Sequence, residues 1–177
     1  MILDSFLQYD SAINLAQVAG TYNSTNVIDF GGPAIPVLAS GQGARDMGIG
    51  DDPALKLLVQ VTVAFTSGGA GTLAVNLQGA ADNGSGAPLT WTTWYTSPAY
   101  ALATLVQGAR LMDMDFPRPP DGVPIPRFSR LTYVIGTATM TAGTVEALIV
   151  LDRMDQYYTG TNNAVMSGYP AGITVSN

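Results

Sequence analysis

The sequence contains neither histidine nor cysteine, so the residues that could do chemistry reduce to carboxylates, hydroxyls and a few aromatic rings. Thiolate or imidazole metal sites, Ser-His-Asp and Cys-His nucleophilic sites, and disulfide frameworks are excluded with them. Catalysis would have to rest on paired carboxylates whose surroundings divide the acid and base roles. Among the groups on offer are Asp46, Asp51, Asp52, Asp113, Asp115, Glu146, Asp152 and Asp155. Asp113 and Asp115 stand two apart in a strand-like run and would project from one face. The plainer reading of that pair is a solvated strand face, or partners for Arg110 and Arg118. Glu146 is the one glutamate in the chain, which weakens a glycosidase-type site further. The chain is read as a non-enzyme with no cofactor.

Two other constellations could bind rather than react. Asp46, Asp51 and Asp52 around the Gly48 to Gly50 turn could offer oxygen ligands to Ca²⁺. However, Arg45 supplies an internal counter-charge, the spacing matches no EF-hand loop, and Asp52-Pro53 is a common turn opening, so no metal is expected. Trp91, Trp94 and Tyr95 could make a stacking platform for sugars. Strict alternation would put Trp91 and Tyr95 on one face and Trp94 on the other, so at least one of the three is expected in core or interface packing. Gly41-Gln42-Gly43-Ala44 leads into no Gly-Lys-Ser/Thr and no clear helix, so it does not read as a phosphate loop.

The elements that would position these residues are strands. The chain has 20 glycines and 11 prolines, and they fall in short clusters between apolar runs, a pattern of many short strands joined by tight turns. From Lys56 to Thr66, Val59, Val61, Val63 and Phe65 alternate with polar or small residues. After Ser67-Gly68-Gly69-Ala70-Gly71 the alternation resumes at Leu73, Val75 and Leu77, which makes a hairpin the simplest local arrangement, although the second strand could cross to another sheet. A similar unit follows near the C-terminal end: Arg127 to Gly136 with Leu131, Tyr133 and Ile135, a turn, then Val145 to Leu151. Gly71-Thr72-Leu73 and Gly143-Thr144-Val145 open the second strand of each unit. That likeness fits an internal duplication, or simply the suitability of Gly-Thr for leaving a turn.

Further strands are expected at Thr21 to Phe30, Leu89 to Ser97, Ala99 to Val106 and Leu111 to Phe116. The total is about eight, with spacings typical of a sandwich or jelly roll. Residues 1–20 read as an N-terminal arm or edge element in which Asp10 or Ser11 could cap a short helix through Val18. Residues 31–53 read as a long ordered loop, and residues 117–126, with five prolines, as an extended polyproline-like path. Residues 157–177 form a polar tail that either frays or docks on a neighbour. The fold expected is thus all-β, a jelly roll or β-sandwich of about eight antiparallel strands over residues 21–156, with extended terminal arms.

Composition bears on partners. The 177 residues make one domain of ordinary size that can bury roughly 70% of its unfolded surface. Only 11% are charged, the net charge is −6 and the mean hydropathy is +0.22, against about 25% charged in a typical soluble domain. A folded chain so poor in charge fits a surface largely covered by other subunits; a Thr/Ser/Asn/Gly-rich secreted β-domain is the alternative. Six arginines and Lys56 are scattered without a cluster, so nucleic acid is not an expected partner. No stretch approaches the ~18 apolar residues of a spanning helix, and Asp4 and Asp10 interrupt what a signal peptide would need. Neither a membrane nor export is expected.

Several stretches, in order, carry a resemblance. Met1 to Gln8, Ser24-Thr25-Asn26-Val27-Ile28-Asp29, Gly43 to Gly50, the strand opened by Leu57, Phe65-Thr66, Arg127 to Tyr133, Thr141 to Val145 and Asp155-Gln156-Tyr157-Tyr158 resemble capsid cement (decoration) proteins of short-tailed bacteriophages. The resemblance implies a jelly-roll fold on the outside of a phage head, bridging major capsid protein subunits, with no catalytic residues. It also implies a place on the outer surface of the virion after assembly in the host cytoplasm. A cement protein that self-associates as a dimer or trimer and binds the major capsid protein is the leading expectation. A carbohydrate-binding β-sandwich for receptor recognition or adhesion is the alternative. Ile2, Leu3 and Phe6 in one arm and Tyr157, Tyr158 and Tyr169 in the other are the expected interface anchors, since apolar groups on arms have no obvious core of their own.

Overall fold

A computed structural model describes residues 7–31, 55–119, 121–122 and 126–151. These residues form ten strands: β1 (Gln8–Asn14), β2 (Gly20–Asn23), β3 (Ile28–Asp29), β4 (Leu55–Ser67), β5 (Thr72–Asp82), β6 (Pro88–Thr96), β7 (Tyr100–Ala101), β8 (Arg110–Asp115), β9 (Phe128–Gly136) and β10 (Met140–Leu151). One sheet has the order β1-β10-β4-β8. The other has the order β2-β9-β5-β6, with β3 added on β9 and β7 on β5. Every pairing is antiparallel. No helix among the described residues is long and apolar enough to cross a membrane.

The pairings nest. β5 pairs with β6, β4 with β8, β2 with β9 and β1 with β10, so the chain is an antiparallel ribbon folded on itself and wrapped across two layers. That is a jelly roll of eight principal strands, with β3 and β7 as two-residue additions. The expected hairpin after β4 is absent: β4 and β5 lie in different sheets, as do β9 and β10. The two look-alike units are arches across the sandwich that lie side by side, β4 against β10 and β5 against β9.

Alternation reads through to the core. Leu73, Val75 and Leu77 of β5, Leu131, Tyr133 and Ile135 of β9, Leu57, Val59 and Val61 of β4, and Val145, Ala147 and Ile149 of β10 fill the space between the sheets. Phe30 meets Phe116 edge-on at 5.8 Å. Leu105, fully buried, plugs one flank, and its carbonyl accepts the N–H of Phe65 at 2.9 Å.

Four expectations need correction. Val63 does not continue the apolar face of β4; it is 50% exposed, because the register against β10 shifts on both sides of Thr144. Gly143, at φ 139°, sits where the Phe65 ring packs, and no other residue leaves room for that ring. Thr21 to Phe30 is broken into β2 and β3 by Ser24 to Val27, which turn to bond with β1 and β9. Ala99 to Val106 is a two-residue strand and a 3-10 turn over Leu102–Thr104 rather than one strand. Finally, Asp10 caps no helix, since Gln8 to Asn14 is the edge strand β1.

Candidate interaction surface

The residues singled out in sequence fall in different places. Ile2, Leu3, Phe6, Tyr157, Tyr158 and Tyr169 lie outside the described residues, as do Asp46, Asp51, Asp52 and the Gly48 to Gly50 turn. Among the described residues no group of three or more ligating side chains is gathered for a metal.

Asp113 and Asp115 do share a face, the outer one of the four-stranded sheet, where they stand opposite Leu58 and Lys56. Asp113 accepts from Arg110 at 2.8 Å, and Asp115 is ion-paired with Lys56. Each carboxylate is therefore paired with a cation of its own. On the same face of the sheet, Leu58 of β4 and Leu148 and Val150 of β10 form a second, small buried apolar cluster, because they alternate with the core-facing residues of those strands.

The aromatic trio is split differently from the strict period. The pairing of β5 with β6 shifts between Leu77/Tyr95 and Gln78/Thr93, so Trp94 is the extra residue of a bulge. Trp94 and Tyr95 both pack on the core cluster, while Trp91 is left on the outer face. Trp91 and Tyr95 thus do not share a face. Arg130 of β9 lies over the Trp91 ring at 4.2 Å and donates to Gln78 at 2.9 Å, and Gln78 in turn donates to Thr93 at 3.1 Å. Partial burial lowers the affinity of this guanidinium for its proton. Asn76 donates to the buried Thr132 at 3.2 Å, continuing a face bonded mainly through uncharged groups. Trp94 occupies the space over Gly79, and its indole N–H is buried without an acceptor among the described residues.

One charged cluster does mark this face. Arg127 stacks over Phe128 at 4.9 Å, donates to both oxygens of Asp29 at 2.9 Å and is ion-paired with Asp82. Its bond to Asp29 outweighs desolvation and, with Asp82, holds the guanidinium proton more tightly than usual. At Asp82 desolvation is the largest single effect, but donors from Gly86, Arg127 and Gly84 together overcome it, so its carboxyl is held below the ordinary carboxylate range. The cluster ties β3 and the β5–β6 turn to β9.

Sequence periodicity misses the polar network inside the sandwich. β1 carries a register shift between Gln8 and Asp10, which turns the adjacent Tyr9 and Asp10 both inward. The Tyr9 hydroxyl is bonded to Ser129 Oγ at 2.7 Å; Asp10 accepts from Tyr133 at 2.6 Å and from the Thr25 N–H at 2.7 Å. These bonds join β1 of one sheet to β9 of the other. Burial pushes both phenols above their usual range, Tyr133 with added help from the Asp10 charge.

What the geometry of the described residues defines is a jelly-roll domain whose outward features include sheet faces and strand edges. The sequence model of the Bbp16 family matches residues 14–149. The chain belongs to that family, which is phage-related. No curated protein matches it.

Proposed function

We propose that this protein is a structural capsid cement protein. It binds the outside of a bacteriophage head as a self-associated dimer or trimer and bridges major capsid protein subunits. It would assemble onto heads in the host cytoplasm and remain on the outer surface of the virion. The observation that carries the reading is the combination of a phage-related family with a jelly roll in which neutral side-chain bonds cross both sheets, Asn76–Thr132 and Gln78–Thr93 in one and Thr62–Thr144 and Thr66–Thr141 in the other. Many weak apolar and hydrogen-bonded contacts, repeated over a symmetric lattice, give firm attachment without a single strong site. The experiment is binding of the purified chain to assembled heads that lack it. The expected result is saturation at a stoichiometry fixed by the lattice; no binding, or binding without a fixed stoichiometry, overturns the reading.

The carbohydrate-binding alternative needs an aromatic platform, and the bulge at Trp94 separates Trp91 from Tyr95. Titration with oligosaccharides is expected to leave tryptophan fluorescence unchanged. A saturable shift would favour the glycan reading instead.

A further inference from the structure

Among the described residues the two sheets present four edges, and three are poorly suited to another strand. β8 carries Arg110, Asp113 and Asp115, and charges on an edge resist pairing with a further chain. β1 has the carbonyls of Gln8 and Tyr9 already taken by Asn26. β2 has four residues and β3 two. The fourth edge is β6, Pro88–Thr96, with nine residues and not one charge (PLTWTTWYT). Among the described residues only β5 pairs with it. Leu89 is 65% exposed, and Thr90, Thr92, Thr93 and Thr96 are exposed as well. Pro88 at its start and Pro98 beyond its end lack an N–H and limit the usable template to Leu89–Ser97.

We infer that β6 is the edge through which two copies of this chain join, strand to strand and antiparallel, making one continuous sheet across a two-fold axis. Charge selects the occupant. A chain of net charge −6 repels its own copies over most approaches, and β6 is a long edge where two copies meet with no like charges opposed. An uncharged edge also gives a charged strand nothing to pair with, whereas an identical strand is complementary to it by symmetry. β-Branched and aromatic residues in the row suit cross-strand packing. In an antiparallel pair of identical strands the axis lies between two copies of one residue; near the middle of the template, on the Leu89–Thr93 side of the Trp94 bulge, that residue is Thr92 or Thr93. The interface is modest in area, so the pair forms at high concentration and is reinforced on a lattice.

The inference rests on the self-association part of the function proposed above, and its test is separate from head binding. Sedimentation of the full chain over a wide concentration range should show a monomer–dimer equilibrium. Thr90→Lys with Thr92→Lys should leave a monomer with unchanged circular dichroism. Because the chain has no cysteine, single-cysteine variants Thr92→Cys and Thr93→Cys report the axis even if the lysine variant fails to fold. At least one should form a disulfide-linked dimer on oxidation far faster than Val106→Cys, which places the thiol on an exposed loop. Self-association that survives the lysines, or the absence of cross-linking at both threonines, overturns the β6 pairing and leaves other modes of association standing. A wild-type chain that stays monomeric at all concentrations overturns the pairing and self-association together, while head binding is judged by its own assay.

Discussion

Asp10 is a carboxylate with 1% of its surface exposed, and the groups that make its position tolerable are the Tyr133 hydroxyl and the Thr25 amide. Removing a donor from a buried charge is more damaging than removing one neutral hydrogen bond. Tyr133→Phe is therefore expected to lower stability by about 3 kcal/mol, against about 1 kcal/mol for Tyr9→Phe, where only the Ser129 hydroxyl loses its partner. Denaturant titration checks the difference; equal effects would mean that Asp10 finds another donor. The same network fixes the alkaline limit. Both phenols have folded pKa values above the unfolded value of about 10, so the unfolded chain releases their protons first. Their contribution is intact below pH ~10 and falls by about 1.4 kcal/mol per pH unit for each tyrosine between that value and the higher folded one. Unfolding midpoints measured in steps above pH ~10 should fall accordingly, less steeply in Tyr9→Phe. In the sequence Asp10 reads as a helix cap, because its inward turn depends on a bulge against β10 that no local pattern marks.

The elements were legible where one face meets the core over a whole strand. Val75, Leu77, Leu131, Tyr133 and Ile135 were found at period two and are all buried. Leu77→Ala should lower stability by about 3 kcal/mol through lost packing and the cavity left behind, read as a shift in the denaturant midpoint with an unchanged slope. Periodicity failed where the ladder slips. Val63 and the Trp94–Tyr95 pair each stand beside a register shift, and a one-residue slip reverses every face assignment beyond it. The partner of each long strand was not legible either: the Gly-rich segment after β4 and the Thr137 to Thr139 segment after β9 read as turns but are corners between sheets. Gly143, inside β10 just past the second corner, is a position that the Phe65 ring keeps glycine. Gly143→Ala puts a Cβ into the Phe65 ring at a backbone angle that L-residues resist, and should cost about 3 kcal/mol. Gly143→Ala combined with Phe65→Ala should recover part of the packing clash but not the backbone strain, so the double variant separates the two causes.

At the scale of the whole molecule the governing quantity is the small number of charges. Charged residues are 11% of the sequence, and those described are largely spent within the molecule: Arg127 on Asp29 and Asp82, Lys56 on Asp115, Arg110 on Asp113, Arg130 on Gln78 and Trp91. Composition made this economy visible from the outset, but it could not say which faces and edges the neutral residues occupy, because that depends on which strands pair. A protein that attaches through neutral surface should not depend on long-range attraction. Exposed charges more than about 10 Å apart are screened at ~0.1 M salt, so an attachment driven by them would weaken as salt is raised. Binding to heads lacking the protein is therefore expected to change less than about threefold between low and molar salt. A fall of tenfold or more would mean that charged groups carry the attachment, and the neutral sheet faces would then be ruled out as its main source.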